Sequence, residues 1–109
     1  MKFGSHLEEK FAQILNKAGI RWIGQYGLQR KRYDFFLPEY SLLVEIDGNY
    51  IHTNSKEGFH IDKKFKKKIF RNDALKNIMA KQAGFKLIRI WESELLNLNH
   101  TNIREHLLK

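Results

Sequence analysis

The sequence predicts an α/β (α+β) domain: a mixed sheet flanked by helices, with elements in the order α, β, β, β, α, β, α. Three observations carry this. An amphipathic helical stripe ends at a glycine near the start. Two apolar and aromatic strand-like runs follow, separated by Pro38-Glu39-Tyr40. A second helical stretch then ends at another glycine, before a further apolar run. One domain spanning residues 1–109 is expected, because 109 residues are too few for two independent cores.

Element by element, Ser5 to Ala18 reads as a helix, since Leu7, Phe11, Ile14, Leu15 and Ala18 recur at helical spacing. Ser5 and Glu8 fit a capping box, and Gly19 stops the helix. Arg21 to Leu28 reads as extended. Tyr33 to Leu37 is a strand, Pro38-Glu39-Tyr40 a turn, and Ser41 to Asp47 a second strand, so the pair forms a hairpin. Gly48 to His60 is a polar loop. Ile61 to Ala83 is a helix that opens on a basic run, and Gly84 ends it. Phe85 to Trp91, broken only by Lys86 and Arg89, reads as a mostly buried strand. Glu92 to Lys109 carries one or two short helices, including a C-terminal one.

Composition narrows the function. Hydrophobic residues make up 42% and aromatics 13%, enough for a real core. The absence of cysteine excludes disulfides and thiolate-held zinc or iron–sulfur centres. No apolar run approaches the ~18 residues of a membrane span, and the start lacks the apolar stretch of a signal peptide, so a cytoplasmic location is expected. Twenty Lys+Arg against twelve Asp+Glu give a charge of +8. That excess suits a polyanionic partner, nucleic acid before an anionic membrane surface.

The stretch RYDFFLPEYSLLVEIDGNYIH holds carboxylates where an ordinary strand would not. Strand alternation puts Leu43, Glu45 and Asp47 on one face and Leu42, Val44 and Ile46 on the other. A hairpin brings Asp34 near the acidic face. Three clustered carboxylates repel unless a cation neutralises them, and such oxygen ligands suit Mg²⁺ or Mn²⁺. The alternative is that these acids pair with some of the basic residues on an exposed face. His52, five residues beyond Asp47, is a candidate general acid or base. Glu8 lies at the edge of the first helix's apolar stripe, whereas Glu9 faces solvent. Glu8 therefore serves as a cap partner, a catalytic acid, or both. Asp73 and Lys76 share a helical face, either as a surface ion pair or with Lys76 stabilising phosphate charge and Asp73 orienting it. Lys63, Lys64, Lys66, Lys67, Lys68 and Arg71 form one basic cluster, and Arg30, Lys31 and Arg32 another. They flank the acidic stretch as phosphate-tracking surfaces would. A membrane-surface helix is the competing reading for the longer run.

Two segments, DFFLPEYSLLVEIDGNYIH and NDALKN…GFKLIRIWE, resemble the very-short-patch-repair-like branch of the PD-(D/E)XK, restriction-endonuclease-like nucleases. The resemblance is closest to homing-type endonucleases of phages and bacteria with an E-D-x-H-D active-site pattern, and covers roughly Ser5 to Glu94. It implies a restriction-endonuclease-like αβββαβ core. It matches Glu8 to the first-helix acid, Asp34 to the metal-binding aspartate and Glu45 to the acid of the (D/E)XK element. Asp47 stands where that pattern has lysine, with Lys76 as the candidate replacement. His52 matches the second family histidine, Asp73 the helix aspartate, and Gln25 a glutamine of related nucleases. Tyr33 stands in place of the usual proline. The implied function is a Mg²⁺- or Mn²⁺-dependent DNA endonuclease of homing or repair type. Asp34 and Asp47, helped by Glu45 and the carbonyl of Ile46, would hold metal. His52 or Glu8 would move the proton, and a homodimer would supply two cuts. A structure-selective or mismatch nuclease would use the same site. The alternative is a non-catalytic nucleic-acid-binding module on the same fold.

Overall fold

The computed structural model describes the backbone of residues 5–48 and 63–108, and the side chains of 6–48 and 71–108. Helix α1 is Ser5–Ala18. Strands β1 (Ile23–Leu28) and β2 (Lys31–Leu37) follow, then a single 3₁₀ turn (Pro38–Tyr40) and β3 (Leu42–Asp47). Helix α2 (Lys63–Gln82) leads to β4 (Lys86–Trp91), and the short helices α3 (Glu92–Leu95) and α4 (Ile103–Leu107) complete the chain. The sheet order is β1-β2-β3-β4. The first three strands are antiparallel, and β4 runs parallel to β3. This is a mixed four-stranded sheet flanked by helices, in the α+β class. Among the described residues no helix is long and apolar enough to cross a membrane.

Both predicted glycine stops hold for the same reason. Gly19 and Gly84 adopt φ of +74° and +87°, where a Cβ would be strained. The next amides, Ile20 N–H and Phe85 N–H, then reach back to the carbonyls of Leu15 and Ala80 at 2.9 Å each. The expected capping box falls on Ser5, whose side chain lies outside the described residues. The 48–60 loop lies almost wholly outside them too.

Two layers of core cover the sheet. On one face Phe11 and Leu15 of α1 meet Phe35, Leu37, Leu42, Val44, Ile46 and Ile90, sealed by Leu95, Ile103 and Leu107. Phe11 and Trp22 both pack edge-on against the Phe35 ring, at 5.0 and 5.2 Å. On the other face Tyr33 and Leu43 pack with Ala80 of α2, with Tyr26, Phe36 and Phe85 at the margin. The opposite facing of Leu43 and of Leu42, Val44 and Ile46 follows the period-two reading.

One expectation is corrected, and one feature is added. β4 is an edge strand, and only Ile90 is fully buried in it, so it is not the mostly buried strand its composition suggests. A second hairpin, β1–β2, turns through Gln29 and Arg30, with Leu28 paired to Lys31. The sequence hides this turn because Gln29 takes φ of +56°, a place that glycine usually marks.

Candidate active site

The site lies where the sheet stops behaving as a regular sheet. β1 and β2 pair on both sides of Gln25 and Asp34, but not at that position. Gln25 takes φ of +50°, uncommon for a residue with a Cβ. The interruption turns Tyr33 toward α2 and Phe35 toward α1. It also lets Asp34 face β3 along the strand edge. There the backbone pairing of β2 and β3 is replaced by side chains. Asp34 N–H donates to Glu45 Oε2 at 2.9 Å, and Ile46 N–H donates to Asp34 Oδ2 at 2.8 Å.

Among the described residues Glu45 is the buried charged one, 6% exposed. An isolated carboxylate there would be prohibitively costly. Lys76 of α2 compensates it, with Nζ 2.6 Å from Glu45 Oε1. Lys76 is itself held in place. Its carbonyl accepts the Tyr33 hydroxyl at 2.9 Å, and its ammonium lies 5.4 Å from the centre of the Tyr33 ring. Burial, and then the charge of Glu45, push the Tyr33 phenol up.

The Asp34 carboxyl is pushed up from 3.8 to about 7. Burial is the main cause and the Glu45 charge the second. The Ile46 amide pulls the other way, Glu8 adds to the rise, and Lys76 offsets part of it. Glu8 reaches this neighbourhood from α1, where its Oε1 accepts from the Gln25 amide at 3.0 Å. The helical-wheel distinction holds, since Glu8 is half-buried and Glu9 exposed.

Asp47 closes the β3 end of the site. Its Oδ2 lies 3.5 Å from Arg89 Nη1, and the other arm of Arg89 is 3.4 Å from Asp73 Oδ1. Asp73 therefore faces Arg89 while Lys76 faces Glu45, so the two neither form the surface ion pair with each other nor stand with Asp73 orienting Lys76, the two readings their spacing offered; they serve different strands. Among the described residues no three His, Asp or Glu side chains are grouped to hold a metal ion. The three-carboxylate cluster expected of Asp34, Glu45 and Asp47 is not assembled, because Glu45 spends both oxygens on Lys76 and the Asp34 amide.

Of the expected nucleic-acid contacts, Arg30, Arg32 and Arg71 are exposed. Lys31 instead donates to Asn72 Oδ1 at 2.5 Å, tying β2 to α2, and Gln25 spends its amide on Glu8. The backbone carrying Lys63, Lys64, Lys66, Lys67 and Lys68 is helical, but their side chains lie outside the described residues, as does all of His52. Sequence reasoning missed Arg89. Its only signal was a cation interrupting an apolar strand.

A solved structure, the catalytic domain of the homing endonuclease I-Bth0305I, is similar to this chain with a TM-score of 0.64. The two are 17% identical, over 94% of this chain and 89% of that one. That likeness shows the fold, an α+β domain of the kind that forms an endonuclease catalytic domain. No family profile matches the chain, and no curated protein matches it significantly.

Proposed function

We propose that the chain is a divalent-metal-dependent DNA endonuclease of the PD-(D/E)XK type, in which the usual strand lysine is supplied by Lys76 from α2. The observation that carries this reading is the Asp34–Glu45–Lys76 chain of hydrogen bonds across the gap between β2 and β3. It unites an aspartate, a glutamate and a lysine at the carboxyl end of the parallel β3–β4 pair, where α/β sheets place their sites.

The residues fit a hard cation. Burial and then the neighbouring Glu45 charge push the Asp34 carboxyl up, so a cation beside it would be favoured. Mg²⁺ needs only one or two carboxylates beside water and phosphate. Asp34 and Asp47, with the carbonyl of Ile46, would hold it, and Glu45 acts through Lys76. The chemistry such an ion supplies is Lewis-acid activation of a water and of the scissile phosphate. Lys76 places a fixed positive charge where negative charge develops on the phosphate. Glu8 or His52 moves the proton, and the Gln25 amide orients Glu8. The exposed Arg30, Arg32 and Arg71, with the lysines of α2, hold the DNA backbone. One such site makes one nick, so a homodimer is proposed for double-strand cleavage. A homing or repair role, in a bacterial or phage-infected cell, belongs to the same reading.

The test is incubation of the chain with supercoiled plasmid in Mg²⁺ or in EDTA. Nicked or linear product in Mg²⁺ alone is expected; no product under either condition, with DNA still bound, would favour a binding module.

A further inference from the structure

Arg89 lies opposite Glu45 in the β3–β4 ladder, on the sheet face that α2 covers. Its side chain is only 20% exposed. Nη1 points to Asp47 and Nη2 to Asp73, at 3.5 and 3.4 Å. Both distances are long for charge-assisted hydrogen bonds, which cluster at about 2.7–2.9 Å. Nη2 is buried and makes no hydrogen bond at all. On the same face Lys76 closes on Glu45 at 2.6 Å. Among the described residues the face thus holds one tight ion pair and one loose bridge.

A guanidinium acting as a structural clamp closes its fork on one carboxylate. Arg89 is instead divided between two carboxylates from two elements and fully satisfies neither. Its charge is what it supplies. Without it, Asp47 and Asp73 would lie at the sheet–α2 interface with no cation beside them among the described residues.

We infer that Arg89 is a positioning residue for Asp47, a resident counter-cation that holds this carboxylate loosely and yields it to a divalent ion. This rests on the proposed reading of Asp47 as a metal ligand. Two consequences follow from charge alone. Arg89 competes with the ion for Asp47, so it weakens metal affinity. It also removes the need for an ion to keep Asp47 and Asp73 together in the folded chain.

The experiment is calorimetric titration of the full chain with Mn²⁺ in the absence of DNA. Arg89→Met should bind Mn²⁺ about fivefold or more tightly than wild type, because a neighbouring positive charge has gone. Arg89→Lys, which keeps the charge, should stay within about twofold of wild type. In Asp47→Asn/Arg89→Met the gain should vanish. A purely structural role would not tighten binding. Should Arg89→Met fail to fold, Arg89→Gln carries the same expectation. Unchanged or weaker binding in the neutral variants, with wild type binding normally, overturns this inference and leaves the metal reading standing. No Mn²⁺ binding by wild type, or equal binding by Asp34→Ala, overturns the metal reading, and this inference with it.

Discussion

Asp34→Asn should make the protein more stable while removing its activity. Asp34 is held between Glu45 and Ile46, and burial lifts its carboxyl from 3.8 to about 7. In the unfolded chain it ionises near pH 4, so between pH 4 and 7 the folded state binds the extra proton. Stability attributable to Asp34 therefore falls as pH rises through that window and stays low above pH 7. The gap is worth at most ~4 kcal/mol. Asparagine has no charge to desolvate, and its Oδ1 can still accept the Ile46 amide. Urea unfolding in EDTA is the assay. At pH 8 Asp34→Asn should exceed wild type by roughly 2–4 kcal/mol, and below pH 4 by under ~1 kcal/mol. Equal stabilities at both pH values, or a less stable variant at pH 8, would refute the placement of Asp34 in a hindered, anionic site.

Lys76→Met leaves Glu45 buried without its counter-charge and should cost about 3–5 kcal/mol by urea unfolding. Glu45→Gln/Lys76→Met should recover most of that; a single-variant loss under ~1 kcal/mol would reduce the contact to a surface ion pair. Replacing Lys63, Lys64, Lys66, Lys67 and Lys68 by Gln should weaken binding to every DNA sequence and flatten its salt dependence, by roughly 0.9 in log–log slope per lost phosphate contact. An unchanged slope in an anisotropy titration would make the run a solvated face. If His52 moves the proton, His52→Ala should cost on the order of 10²–10⁴ in single-turnover rate and remove a limb of the pH–rate profile near pH 6–7. An unchanged profile would shift that role to Glu8.

The legible parts of the fold were those where local physics decides. The α1 stripe and the glycine stops at Gly19 and Gly84 depend on spacing and on φ alone. The facing of Glu45 follows from strand period, and it does look toward α2. Lys76 was visible as a residue, but its direction was not, because apolar side chains lie on several sides of α2 and only packing selects the inner face. The Asp73 partner was misassigned for a related reason. Helical spacing puts Asp73 beside Lys76, yet the register that sets Arg89 opposite Glu45 offers each helix residue a strand partner of opposite charge. Long-range register leaves no mark in a single sequence. The Gln25–Asp34 interruption was equally hidden, since it is held by Glu8 and Ile46 from distant elements.

The role of Asp34 in metal-dependent cleavage is tested by single-turnover cleavage of a plasmid by wild type and Asp34→Ala, in Mg²⁺ and in EDTA, with DNA affinity measured alongside. Asp34 meets Glu45 and Ile46 at the strand gap, so its loss should abolish cleavage while DNA binding stays near normal or tightens. Wild-type cleavage by Asp34→Ala, or cleavage by wild type that persists in EDTA, would contradict it.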